Sequence, residues 1–103
     1  MYLIGFYAPP EHVEAIKQAM FEAGAGRMGE YACCAWQTEG TGQFMPLAAA
    51  EPFIGECDTL SKITECKVEM VCNDACIHEV VNALHTHHPY ETPAIQVIRL
   101  ETF

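Results

Sequence analysis

From Thr64 to Cys72 the chain alternates well. Cys66, Val68, Met70 and Cys72 fall on one side, and Glu65, Lys67 and Glu69 on the other. A period of two over this length fits an extended strand with one apolar face. Whatever else folds around it must supply a sheet whose core lies on the cysteine and valine side.

The flanking segments complete the pattern. Tyr2 to Tyr7 is apolar and aromatic, stops at Pro9-Pro10, and predicts a first strand. Pro10 suits the first position of a helix, with Glu11 and Glu14 in its positive amino-terminal turn. Val13, Ile16, Met20 and Ala23 recur at helical spacing, and Gly24 supplies a left-handed stop. The run Gly24-Ala25-Gly26-Arg27-Met28-Gly29 follows a helix instead of opening one. It therefore predicts a loop with close backbone contacts and not a dinucleotide fingerprint. Tyr31 to Thr38 predicts the second strand, Glu39 to Gln43 a turn, and Phe44-Met45 a short return arm that Pro46 restricts to an edge. Residues 47 to 62 form a long irregular connection, of the kind that is functional or ordered by a partner. Asn73 or Asp74 can cap a second helix with Ile77, Val80, Val81 and Leu84 as its core stripe. Ala94 to Leu100 closes the chain as a strand with apolar residues on both sides, so both sides are expected to be covered. Strand-helix-strand occurs twice. The fold class is α+β: a single domain over residues 1–103 with a ferredoxin-like βαββαβ sandwich and a central hairpin extension.

Charge narrows the partners. The formal net charge is −9, and the only strong cations are Lys17, Lys62, Lys67, Arg27 and Arg99. Nucleic acid and anionic membrane surfaces need clustered basic residues, so neither is an expected partner. No apolar run approaches the roughly 20 residues of a membrane span. Half the residues are hydrophobic and 18% are charged, too little polar material to cover so small a domain. With Trp36, Cys33 or Cys34 and part of the last strand on the sheet face away from the helices, a homo-oligomer is expected, a trimer before a dimer. The amino terminus runs straight into a strand with no signal peptide. The six cysteines are therefore expected as reduced thiols in the cytoplasm, serving mainly as small buried hydrophobes.

The candidate chemistry lies in His85-Thr86-His87-His88-Pro89-Tyr90-Glu91-Thr92-Pro93. Pro89 ends the second helix at His87 or His88 and biases His88 toward extended backbone. His88, Tyr90 and Glu91 could form a ligand site with the Gly40–Gly42 turn. The structural alternative has His88 bonding a backbone carbonyl at the helix exit while Tyr90 packs. His85 and His88 stand i, i+3 apart and, with Glu91, are the candidate ligands of a divalent metal ion, although Pro89 turns His88 off the helix. Arg27 in its glycine loop could hold an anion, with a surface ion pair as the simpler account. An enzyme using His88 and Glu91 as acid and base is the catalytic alternative. No Cys-x-x-Cys pair exists.

Further motifs are Pro10-Glu11-His12-Val13, Phe21 to Gly26, Gly29-Glu30-Tyr31, Gly40 to Pro46, Pro52-Phe53-Ile54-Gly55-Glu56 and Glu65 to Glu69. Together with His88 to Ala94 they resemble the CutA/PII-like insertion domain of the Nif-three-like (YqfO-type) family over nearly the whole chain. In larger members that domain sits between lobes carrying a dinuclear metal site, and those lobes are not among these residues. The resemblance implies a non-enzymatic, trimer-prone module for small ligands, metals or signalling. Its alternative role is assembly for a partner that carries the metal lobes. That implication rests on fold, and fold alone does not fix function.

Overall fold

The computed structural model describes residues 1–103. Its sheet is built on the alternating segment. Strand β3 (Ser61–Cys72) pairs antiparallel with β1 (Tyr2–Ala8), from Tyr2 opposite Cys72 to Ala8 opposite Cys66. Strand β4 (Ile95–Arg99) flanks β1 and β2 (Trp36–Phe44) flanks β3, giving the antiparallel order β2-β3-β1-β4. Helices α1 (Pro10–Glu22) and α2 (Ile77–His87) complete the ferredoxin-like order β-α-β-β-α-β. None of the helices is long and apolar enough to cross a membrane.

The core follows from the register. Ile4, Phe6 and Ala8 stand beside Cys66, Val68, Met70 and Cys72 on one sheet face, and all are buried. Val13, Ile16 and Met20 of α1 and Ile77, Val80 and Leu84 of α2 close over them. Each fully buried side chain of this size contributes about 1.5–3 kcal/mol, which makes this layer the main source of stability. The opposite face carries Leu3, Val71 and Ile98 in one row, and no helix covers it.

Local signals worked where they were specific. Pro10 opens α1, Gly24 adopts φ 115°, and α2 ends at His87 with His88 already extended. The glycine loop is as close as its composition suggests. Gly26 donates its N–H to the Val71 carbonyl at 2.8 Å and accepts from the Cys34 N–H at 2.8 Å.

Four expectations are corrected. The second strand is Trp36–Phe44, not Tyr31–Thr38, because Met28 and Tyr31 close a small loop with reciprocal N–H bonds of 2.9 Å and Cys33 takes φ 58°. Gly40 and Gly42 therefore lie inside a strand and form no turn; the chain reverses instead through residues 45–60 and returns as Ser61. The extension is thus a ribbon of β2 with the first half of β3, which runs past the end of β1 and helps stretch the molecule to 46 × 24 × 24 Å. Neither Asn73 nor Asp74 caps α2 with its side chain. A short 3-10 turn over Asp74–Cys76 leads in, and Asp74 instead pairs with Arg99 at 3.4 Å. Within one chain β4 is also less covered than its apolar composition predicted, with Val97 and Ile98 about half exposed (43% and 53%).

Gly26→Ala tests the loop. At φ 76° a new Cβ would lie 2.7 Å from the Phe21 ring and 3.0 Å from the Cys34 carbonyl oxygen. The substitution should cost about 1–3 kcal/mol, lowering the melting temperature by about 4 °C or more. Unchanged melting would show that the loop is not held as described.

Candidate functional site

Pro89 removes a helical donor and sets the exit geometry: His88 takes φ −78° and ψ 132°, and its ring lies against the end of β1. The ring is 7% exposed and meets Phe6 edge-on at 6.2 Å. Its Nδ1 accepts the Tyr90 N–H at 3.1 Å, so Nε2 carries the proton and donates to the Tyr7 carbonyl at 2.7 Å. Burial pushes the imidazole pKa down. The Tyr7 carbonyl and Glu65 oppose that shift, and His12 and His85 add to it.

This brace fixes Tyr90. Its hydroxyl donates to Glu65 Oε2 at 2.7 Å, and burial together with that bond pushes the phenol pKa well up. Glu65 in turn lies across Gly42, where an added Cβ would come within 1.8 Å of Oε1. Gly42 therefore seats a carboxylate from the neighbouring strand. Gly40 stands opposite Glu65 in register but has open space where a Cβ would be.

The 45–60 loop closes the far side. Glu51 donates its N–H to Glu91 Oε2 at 3.0 Å. Phe53 packs against Tyr90 at 6.4 Å and against His12 at 5.4 Å. Between loop, ribbon and corner lies a cleft of about 540 Å³ with nine hydrophobic residues among its fifteen. Phe44, Met45, Pro46, Phe53 and Ile54 make its apolar wall, and Tyr7, Glu65, Tyr90 and Glu91 bring polar groups to it. That is the size and character of a small-molecule pocket.

Of the residues singled out from sequence, Tyr90 and Glu91 line the cleft, His88 braces it from behind, and Gly42 shapes it through Glu65. Arg27 stays exposed in its loop and takes no part. His85, His88 and Glu91 do not converge as a metal set. His85 is exposed on α2, both His88 nitrogens are engaged, and Glu91 turns to Glu51. No group of three His, Cys, Asp or Glu side chains suited to a metal ion forms in the chain. Sequence reasoning gave no site role to Glu65, Phe53 or Phe44. The long connection at residues 47 to 62 and the motif Pro52-Phe53-Ile54-Gly55-Glu56 were the signals that pointed toward Phe53.

Comparison with known proteins gives the same likeness that the motifs carried. No family model matches the chain. A Mycobacterium leprae protein named GTP cyclohydrolase 1 type 2 homolog is 44% identical over 94 residues, which is 91% of this chain and 24% of that protein. A solved structure of a Bacillus cereus protein related to NIF3 superposes with a TM-score of 0.82 at 31% identity, covering 98% of this chain and 26% of the other. The periplasmic divalent cation tolerance protein CutA from Archaeoglobus fulgidus gives 0.68 at 22% identity over 100% of this chain and 87% of its own, a likeness of fold. The chain spans about a quarter of the curated relatives it matches, and it is similar to that portion almost from end to end.

His88→Ala should leave the Tyr7 carbonyl and Tyr90 N–H unpaired in a buried corner, at about 1–3 kcal/mol; exposed His87→Ala is the control and should melt as the parent does. The pH dependence has a definite sign. The unfolded imidazole binds its proton near pH 6.5 and the folded one at lower pH, so the unfolded state holds more protons between the two. His88 should therefore contribute full stability above about pH 6.5 and lose it as the pH falls toward the lowered folded value. Melting curves from pH 7.5 to 5 should show a slope that His88→Ala flattens; equal slopes would remove His88 from this role.

Proposed function

We propose that this domain is a non-enzymatic, homo-oligomeric binding module that holds a small ligand in the cleft between the 45–60 loop and the His88–Pro93 corner. The observation that carries the reading is the cleft itself, concave, mostly apolar and framed by hydrogen-bonded polar groups. Its chemistry favours holding over turnover. No cysteine, serine, histidine or lysine lines it, and the Tyr90 proton is already engaged with Glu65. An acid–base pair of His88 and Glu91 has no support from this geometry, since His88 faces Tyr7 and Tyr90. A guanosine triphosphate, the compound named for the relatives, is poorly suited to a lining with two carboxylates and no cation.

Assembly is supported by the uncovered sheet face. Leu3, Val71 and Ile98 continue there toward Trp36, which is 70% exposed, and Met28 at its margin. An apolar surface of this kind beside so few charges is economically covered by further copies of the chain, three rather than two in our reading. In our reading the compartment is reducing, such as the cytoplasm; the cysteines are less buried than expected, with only Cys66 and Cys72 in the core.

Native mass spectrometry of protein purified without a metal-affinity tag tests both parts together. The expected spectrum is a trimer with added small-molecule mass that leaves on activation. Trp36→Glu with Ile98→Glu should give monomers at tens of micromolar, roughly where micromolar contacts fill. A parent that is monomeric and carries no added mass would sink the proposal.

A further inference from the structure

We infer that the cleft selects an organic cation, an ammonium group on a small apolar body. The inference rests on the reading of the cleft as a ligand site and adds the class of ligand. Four aromatic rings line the space, those of Tyr7, Phe44, Phe53 and Tyr90. Ring faces carry negative electrostatic potential and attract ammonium groups, more strongly when water is excluded. Two carboxylates, Glu65 and Glu91, stand in the same lining, and no lysine, arginine or histidine joins them.

The bonding of those carboxylates leaves capacity for a ligand. Glu65 gives Oε2 to the Tyr90 hydroxyl, and its Oε1, lying over Gly42, receives no bond from the chain. Glu91 gives Oε2 to the Glu51 N–H and has its second oxygen free. Two basic side chains close to lining residues are engaged outside it. Lys67 leans to Glu69 at 3.9 Å and lies 6.0 Å from the centre of the Tyr7 ring, outside the lining, while His12, also outside it, packs edge-on against Phe53. An anion would meet two carboxylates with no counter-charge. A neutral apolar molecule would satisfy the walls and leave both carboxylates without a counter-charge. A cation with an apolar body answers both, and the overall charge of −9 favours its approach.

The full chain, in its native assembly, is titrated with three probes of similar shape: 2-phenylethylammonium, 2-phenylethanol and phenylacetate. Binding is followed by amide chemical shifts at Gly42 and Thr92. The ammonium should bind about tenfold more tightly than the alcohol, and phenylacetate should not bind. Glu65→Gln and Glu91→Gln keep an acceptor oxygen for Tyr90 and for Glu51. Each should weaken the ammonium severalfold and leave the alcohol unchanged. Ala50→Trp, which fills the cleft, should abolish both. If the alcohol binds as well as the ammonium, or phenylacetate binds best, the cation class is wrong and the cleft remains a ligand site. If no probe binds, or the ammonium still binds to Ala50→Trp, the cleft reading fails with it.

Discussion

One hydrogen bond sets the polar geometry of the corner and cleft, the 2.7 Å bond from His88 Nε2 to the Tyr7 carbonyl. It joins the exit of the second helix to the end of the first strand, residues 81 positions apart in sequence. Such a bond between a buried ring and a backbone carbonyl matters most for what its loss would expose. Because Nε2 donates, Nδ1 must accept, and the only donor it meets is the Tyr90 N–H. The tautomer, the direction of the chain after Pro89 and the position of the tyrosine are therefore one decision. From Tyr90 the constraint passes to Glu65 and then to Gly42, so a helix exit determines the floor of a cleft on the far ribbon.

The sheet explains why the cleft exists. β3 is longer than β1, and the part of it beyond Ala8 pairs with β2 alone. A two-stranded ribbon without a covering layer is marginal by itself. The 45–60 loop folds back over it, held by the Glu51 N–H on Glu91 and by Phe53 on Tyr90. The loop and the corner thus stabilise the ribbon by leaning on each other across a gap, and the gap is the cleft. At the other end the same sheet leaves Trp36 and Ile98 exposed. The cleft and the apolar face are separate consequences of a sheet too large for two short helices.

The sequence was most legible where a period or a proline acts locally. The alternation at 66–72, the stripe Val13-Ile16-Met20, and the stop at Pro89 each depend on a few neighbouring residues, and the structure follows them. The second strand was misplaced because its determinants are not local. Tyr31 to Ala35 has good strand composition, but the Met28–Tyr31 closure and the left-handed Cys33 take it out of the sheet. Gly40 and Gly42 have poor strand composition, yet they extend because β3 offers a partner for every residue from Trp36 to Phe44. At Gly42 the reason for glycine is a carboxylate from residue 65, which no window around 42 contains. The candidate site was legible in the same proportion: its corner could be read from the chain, but its opposite wall could not.

The histidine–proline–tyrosine–glutamate motif had been open to two readings, a site or a structural corner. The geometry divides it residue by residue. His88 spends both nitrogens inside the protein, so a direct role with metal or ligand would require breaking bonds that hold the corner. Tyr90 faces both ways, with its N–H on the brace and its hydroxyl in the cleft. Glu91 gives one oxygen to the loop and, as a lining residue of the cleft, keeps the other without a bond from the chain. Loss of His88 and loss of Glu91 would thus act through different physics, the first by loosening the frame and the second by removing charge from it. A motif built this way cannot be assigned a single role, because its structural member is what makes its functional members possible.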